Sequence, residues 1–174
     1  MHPFSELAMR CAAFTHGTLS ETREHILQEL QGSGATVLVK ALQSIELQQA
    51  IVAVGMVAMF EAALQDALEC EDGFGEALRM IEGAGDDDLA RQFRDVQLAI
   101  NVLKHGRGRS YEALLHRRED LPFRIKAHDE SFEEGDVSEL AFLIKADEGF
   151  LAHCASIVDR VAAVIRGQKE HAFV

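Results

Sequence analysis

The chain has 174 residues, of which 48% are hydrophobic and 26% charged, and its formal net charge is −12 at pH 7. This length suits one folded domain, and a composition with only two prolines and no tryptophan is typical of a helical globular protein rather than a disordered one. The acidic balance excludes a surface that is basic throughout, so any nucleic-acid site has to be local. We predict a single domain over residues 1–174.

The first half of the chain predicts three helices. The first covers about 3–16 and is ended by Gly17, and the second covers about 18–31, where "TLSE" has the spacing of a capping box. From 36 to about 70, apolar residues recur every three or four positions and predict one long helix that forms the spine of the domain. Its predicted inward positions are Leu38, Leu42, Ile45, Val52, Met56, Met59, Ala63 and Ala67.

In the second half, "EDGFGEALRMIEGAGDDD" predicts a short helix between two glycine breaks. The carboxylates of 86–88 favour the start of another helix, which Gly106 ends, and Ser110 is predicted to cap the helix "YEALLHRR". The stretch "LPFRIKAHDESFEEGD" has no helical period and predicts a surface connection, extended at "FRIK". The predicted apolar stripe of the helix that ends at Gly106 consists of Leu89, Phe93, Val96, Ile100 and Leu103.

A second long helix is predicted from about 137 to 166, with Leu140, Leu143, Phe150, Cys154, Ile157, Val161 and Val164 turned inward. Five or more amphipathic helices joined by short loops indicate an all-α, antiparallel up-and-down helical bundle with two long helices and several short ones. The two long helices leave long apolar edges, which favours a homodimer.

The cellular location is predicted from three features. The three cysteines, Cys11, Cys70 and Cys154, show no C-x-x-C pairing, which favours reduced thiols. The most apolar stretch, "AIVAVGMVAMFEAAL", meets Glu61 after eleven residues and predicts a core helix rather than a membrane span. The N-terminal stretch lacks the basic flank and continuous apolar run of a signal peptide. We expect a cytoplasmic protein of bacterial type with no membrane contact.

Positive charge is concentrated in one segment, 104–126, which carries seven basic and three acidic residues and therefore a net charge of +4. The remainder has 10 basic and 26 acidic residues, a net charge of −16. A local positive patch on an acidic body is what a selective phosphate or nucleic-acid site requires, although cations also accumulate at helix C-termini. The basic residues are Lys104, Arg107, Arg109, Arg117, Arg118, Arg124 and Lys126.

Helical geometry places Asn101 and His105 one turn apart on the same side of their helix, with Arg94 within about 20° of Asn101. Because Ile100 and Leu103 belong to the apolar stripe, we expect Asn101 and His105 to lie at the edge of the core. Imidazole exchanges a proton near neutral pH, and an amide orients a substrate. The predicted catalytic residues are therefore His105 and Asn101, and the predicted phosphate-binding residues are Lys104, Arg107, Arg109, Ser110 and Arg94.

The segment "INVLKHGRGRSYEALL" resembles the conserved segment of HEPN domains, the helical nucleotide-binding superfamily of higher eukaryotes and prokaryotes, in which an Arg-Asn-x-x-x-His element ends a helix. Asn101 and His105 match the element, whereas Ile100 occupies the position of its arginine. The resemblance implies an up-and-down bundle, often a homodimer, and in active members a metal-independent endoribonuclease. His105 would then act as general base or acid for 2′-hydroxyl attack, and the partner subunit's His105 would take the opposite role.

Two other functions are compatible with the sequence. One is a non-catalytic interaction module of a stress, defence or toxin–antitoxin system, in which the basic loop docks an acidic partner; Ile100 favours it. The other is a metal site, but no H-x-x-x-H or E-x-x-H spacing occurs, and we predict no metal and no other cofactor. Asp147 is predicted to face inward and to make an interhelical ion pair or hydrogen bond. The metal ligands considered are His16, His25, His105, His153, Glu61, Asp147 and Glu148.

Overall fold

The computed structural model describes residues 3–169 and shows an all-α bundle, as the sequence predicts. Within these residues the extended backbone forms no strand beyond one isolated bridge between Ile125 and Ile144. A single 3₁₀ turn covers Arg118–Asp120. The six helices are α1 (Phe4–Gly32), α2 (Thr36–Leu68), α3 (Gly73–Gly83), α4 (Asp87–His105), α5 (Arg109–Leu115) and α6 (Glu148–Gln168).

The directions of the helices follow from contacts between side chains. Arg166 near the end of α6 donates to the Ser5 hydroxyl near the start of α1 at 3.0 Å, and His16 lies 2.6 Å from Glu148 at the start of α6. The helices α1 and α6 are therefore antiparallel. Because Glu148 is the first residue of α6, residues 17–32 of α1 and the first part of α2 extend beyond it, forming a helical hairpin about 24 Å long.

All six helices contribute to one hydrophobic core. At its centre the fully buried rings of Phe60 in α2 and Phe93 in α4 meet edge to face, with ring centroids 6.4 Å apart, and Phe74 of α3 meets Phe93 at 5.3 Å. Such pairs add about 0.5–1.5 kcal/mol beyond the burial of their area. The core therefore fixes α2, α3 and α4 against one another.

The predicted break at Gly17 is wrong, because α1 continues through it without interruption. A glycine inside an exposed helix costs only about 1 kcal/mol relative to alanine. That cost is offset by packing: the small side chains of Ala8 and Ala12 are buried in the core. Thr18 consequently opens no helix, and its carbonyl accepts a hydrogen bond from the Thr22 hydroxyl within α1.

The predicted limits of α4 are confirmed. The Asp86 carboxylate accepts from the backbone N–H of Leu89 at 3.0 Å, and Gly106 ends the helix with a φ of +71°, which glycine adopts without strain. The prediction that Ser110 caps α5 is wrong: α5 begins at Arg109, and its N-cap residue, Gly108, has no side chain to offer.

Replacing Asp86 by alanine is expected to lower the free energy of unfolding by about 1 kcal/mol, because the Leu89 N–H loses its acceptor. The control is Asp87→Ala, which removes an exposed first-turn carboxylate that has no capping hydrogen bond. Urea denaturation of both variants separates the cap from the general effect of charge near the helix dipole. Equal losses in the two variants would show that the Asp86 cap contributes nothing of its own.

The connection between α5 and α6 is extended at "FRIK", as predicted. The Lys126 N–H donates to the Leu143 carbonyl at 3.1 Å, and the Lys145 N–H donates to the Arg124 carbonyl at 3.0 Å. The prediction of helix from 137 onward is therefore wrong, because Leu143 belongs to this pairing and α6 begins only at Glu148. Burial of Ile144 and Ala146 on alternate residues is the two-residue period of extended chain.

Asp147 does not lie on the inward face of a helix. It is the N-cap of α6, where its carboxylate accepts from the Phe150 N–H at 3.0 Å. The predicted interhelical pairing of Asp147 is therefore replaced by a local capping bond, because the helix starts eleven residues later than its apolar pattern suggests.

Glu133 links two parts of the connection between α5 and α6 by ion pairs. Its carboxylate accepts from Arg124 at 2.6 Å and from Lys145 at 2.9 Å, and these two cations lower its pKa to about 2. A lowered pKa contributes stability that is complete above the ordinary value of about 4.5 and is lost as the pH falls toward 2. We expect Glu133→Gln to destabilise the protein by a constant amount above pH 5, and by progressively less below pH 4.5, in urea unfolding at a series of pH values. A difference that does not change with pH would contradict this role.

Candidate functional site

The basic turn, residues Lys104 to Ser110, joins α4 to α5. Gly106, with its positive φ, ends α4 directly after His105. Lys104, His105, Arg107 and Arg109 are exposed, and Ser110 is half-buried. Lys104 and His105 also lie where the negative end of the helix dipole favours cations. The turn thus contains five of the seven predicted site residues, four of them exposed.

Ion pairs neutralise the rest of the positive segment. Four of its seven cations bind carboxylates, and only those of the basic turn remain without an acidic partner in the described chain. The pairs are Arg117 with Asp95, Arg118 with Glu130 at 3.0 Å, Arg124 with Glu133 at 2.6 Å, and Lys126 with Glu139. The unpaired positive charge is therefore confined to the basic turn, whereas the sequence suggests a positive segment over all of 104–126.

Unpaired cations are also concentrated in the basic turn when all cations of residues 3–169 are compared. All 17 lysines and arginines lie within residues 3–169, and eleven of them are in ion pairs with carboxylates there. Half of the remaining six lie within six consecutive residues of the basic turn. The six are Arg23, Lys40, Lys104, Arg107, Arg109 and Lys169. The exposed carboxylate of Glu112 in α5 offsets one of these charges nearby.

Asn101 and His105 lie one turn apart on α4, as predicted, but both are exposed rather than at the edge of the core. The apolar stripe of α4, from Leu89 to Leu103, is centred about 120° around the helix from Asn101. Neither side chain has a hydrogen-bond partner within the described residues, so nothing in the chain orients the imidazole. Ile100 is buried, with 5% of its surface exposed, and therefore contributes nothing to this surface.

Arg94 does not belong to the basic turn. Its guanidinium forms an ion pair with Glu82 of α3, and it lies eleven residues before His105, about 16 Å along the axis of α4. The phosphate-binding role of Arg94 stays a prediction, because its guanidinium is paired with Glu82 and it lies about 10 Å along the axis from Asn101. The shared angular position on the helix was correct, but the distance along the axis separates the two side chains.

Two grooves lie elsewhere on the described part of the molecule, and no residue of the basic turn lines either of them. One, of about 490 Å³, is lined by residues of 118–132. The other, of about 580 Å³, lies between the helical hairpin and residues 132–148; seven acidic side chains, including Glu46, and two basic ones line it together with apolar side chains, so its net charge is negative. Burial raises the pKa of Glu46, although its carboxylate accepts from the Leu140 N–H. An acidic groove repels phosphate, so an anion would bind at the basic turn instead.

The side chains considered as metal ligands do not cluster within the described residues. Within residues 3–169 no three histidine, cysteine or acidic side chains come together as a metal would require. His16 pairs with Glu148, and His25 lies 3.3 Å from Glu29 within α1. The Cys154 thiol is completely buried, and burial raises its pKa, which keeps it protonated.

One polar cluster was missed by the sequence interpretation. Asp95 of α4 is completely buried, and one oxygen accepts from Arg117 while the other has no hydrogen bond. His153 of α6 lies close enough to Asp95 for their charges to interact, its Nε2 is buried without a partner, and burial lowers its pKa. Arg117 follows α5, so this ion pair fixes the basic turn and α5 on the body of the bundle. Asp95 lies about 120° around α4 from the predicted apolar stripe, so the sequence pattern gave no signal of its burial.

Comparison with protein-family models, with curated proteins and with solved structures found no match. The chemistry available at the basic turn is that of its own groups. Two guanidinium groups and one ammonium group bind phosphate oxygens by charge-assisted hydrogen bonds, and arginine does so with two parallel N–H groups. An imidazole and a carboxamide beside them add further hydrogen-bonding groups.

Proposed function

We propose that this protein binds single-stranded RNA through the phosphate backbone at the basic turn. The observation that carries the proposal is the pairing pattern: Lys104, Arg107 and Arg109 keep unpaired charges within six residues, on a chain whose net charge is −12. Phosphate contacts supply most of the affinity of sequence-independent binding. The acidic remainder of the surface repels nucleic acid and so directs it to this turn.

An RNA backbone fits the turn better than a free nucleotide does. Small ligands bind in concave sites that cover most of their surface, with apolar walls for a base. The side chains of Lys104, His105, Arg107 and Arg109 are exposed and line neither groove described above. A polyanion binds to such an open surface because several phosphates are bound at once.

The geometry supports binding of RNA without its cleavage. A general base requires orientation, and the exposed His105 side chain has no hydrogen-bond partner in the described chain. Ile100, at the position of the arginine in the HEPN element, is buried in the core. The resemblance of 100–115 to HEPN domains supports a nucleic-acid ligand, and the lack of the arginine weighs against an endoribonuclease.

Fluorescence anisotropy of a labelled single-stranded RNA tests the proposal, with Arg107→Ala and Arg23→Ala as a matched pair. Both arginines are exposed and without ion pairs in the described chain, but Arg23 lies on α1, away from the basic turn. We expect Arg107→Ala to weaken binding about tenfold, because a charge-assisted contact is worth about 1.5–3 kcal/mol, and Arg23→Ala to leave it unchanged. Equal effects of the two substitutions, or no binding by the unmodified chain, would overturn the proposal.

Incubation of the same RNA with the protein in EDTA tests turnover separately. We expect no cleavage above that of the His105→Ala variant. Cleavage that His105→Ala abolishes would establish a metal-independent ribonuclease and would contradict binding alone.

The alternative function is a non-catalytic protein-interaction module of a stress, defence or toxin–antitoxin system, in which the basic turn docks an acidic partner. The observation that favours a protein partner is the apolar exposed surface of α1 and α2, where Phe14 and Ile51 are 76% and 60% exposed. Binding of a polyglutamate peptide more tightly than RNA, lost in Arg107→Ala, would favour this alternative.

A further inference from the structure

The outer side of α2 carries an unusually apolar exposed stripe. By length and composition α2 is apolar enough to cross a membrane. The core helix of a globular protein is mostly buried, whereas only 33% of the most apolar window of α2 is buried in the bundle. Met59, predicted to face inward, is 64% exposed. We name as the α2 seam the residues Lys40, Ser44, Leu47, Ile51, Gly55, Ala58 and Ala62.

The spacing of the α2 seam is that of a helix-packing surface. Its members follow one another at three or four residues, so they form one stripe, opposite the buried Phe60 and Leu64. Six of the seven are exposed, and Gly55 is half-buried. Between Lys40 and Ala62 the seam contains no charge, which is typical of a surface that packs against another helix.

The ends of the stripe carry opposite charges. Lys40 is at the N-terminal end, and the exposed Asp66 lies one turn beyond Ala62; neither has an ion pair within residues 3–169. The two residues are separated by about 39 Å along the helix. An antiparallel copy of the same helix would set each lysine beside the aspartate of the other copy. The stripe is therefore complementary to itself.

We propose that the α2 seam is the interface of a homodimer, in which α2 packs antiparallel to α2 of a second copy about a two-fold axis near residue 53. This register places Lys40 opposite the partner's Asp66, Leu47 opposite the partner's Met59 and Ile51 opposite the partner's Gly55. A closed two-fold dimer uses the same surface on both copies.

Gly55 leaves room for a partner side chain in this register. A Cβ built at Gly55 meets no atom within 4 Å, so the fold of the single chain does not require glycine there. A glycine inside a helix costs about 1 kcal/mol relative to alanine. The Ile51 side chain of the partner fills the space above Gly55, and this contact accounts for the missing side chain.

Gly55→Leu is the most discriminating test, measured by sedimentation equilibrium together with urea denaturation at low protein concentration. Gly17→Leu is the matched control, because Gly17 is also helical and a Cβ there also meets nothing within 4 Å. We expect the unmodified chain and Gly17→Leu to sediment as dimers. Gly55→Leu should raise the dimer dissociation constant at least a hundredfold, while its monomer is no less stable than before.

Charge exchange tests the direction of packing. Lys40→Glu and Asp66→Lys should each weaken the dimer several-fold at low salt, and the double variant should recover the original dissociation constant. A monomeric unmodified chain at high concentration, a dimer unaffected by Gly55→Leu, or single and double charge variants of equal affinity would overturn the proposal. Flotation of a monomeric chain with phospholipid vesicles would also overturn it and would assign the stripe to a lipid surface. RNA binding plays no part in these measurements, so either proposal can fail alone.

Discussion

Arg117→Ala is expected to lower the free energy of unfolding by about 3–5 kcal/mol, because it leaves the Asp95 carboxylate buried without its counter-ion. For a chain of this length that loss corresponds to roughly 10 °C in Tm. Arg91 cannot substitute for Arg117, since its guanidinium is 3.9 Å from the other Asp95 oxygen and 48% exposed. Thermal and urea unfolding of the variant measure the loss.

Two further variants identify the cause. Arg118→Ala removes the neighbouring arginine, whose partner Glu130 is exposed, and should change the stability little. Arg117→Met combined with Asp95→Leu replaces the buried pair by apolar side chains and should recover most of the stability lost in Arg117→Ala. Equal stabilities of Arg117→Ala and Arg118→Ala would contradict a dominant role for the buried charge.

RNA affinity is expected to fall about twentyfold between about 50 and 200 mM salt. Binding that neutralises three phosphates on a single strand gives a slope of roughly −2 in log affinity against log salt concentration. The triple variant Lys104→Ala, Arg107→Ala, Arg109→Ala should remove this slope together with the affinity. Anisotropy titrations at several salt concentrations measure both quantities.

The control for the salt dependence is the double variant Arg23→Ala, Lys169→Ala. These two cations are exposed and unpaired in the described chain but lie in other parts of the fold. Their removal should leave the slope unchanged. A slope that falls equally in the double and the triple variant would show that RNA contacts the cations without regard to position.

The sequence predicts α4 almost completely because the signals there are local. A carboxylate cap at Asp86, a regular apolar stripe and a glycine with positive φ at Gly106 each act within a few residues. The same reasoning failed at Gly17, where the packing of α1 overrides a weak helix-breaking preference. It failed again at 137–147, because pairing of Ile144 with Ile125 depends on residues that are remote in sequence.

The site was predicted less well than the fold for a similar reason. Charge counting located the positive segment, but only the structure shows that Arg117, Arg118, Arg124 and Lys126 are neutralised by acids 9–22 residues away. Burial of Asp95 is also invisible to a pattern that treats acids as surface residues. The apolar period of α2 indicated a long helix but did not reveal that part of its apolar surface faces outward.

Chemical-shift mapping of ¹⁵N-labelled protein with a short single-stranded RNA shows directly whether RNA binds at the basic turn. We expect the largest amide shifts from Lys104 to Ser110 and smaller shifts at Asn101, and we expect Arg107→Ala to reduce them. Shifts spread over the helical hairpin and the acidic groove with none at the basic turn, or no shifts at all, would contradict it.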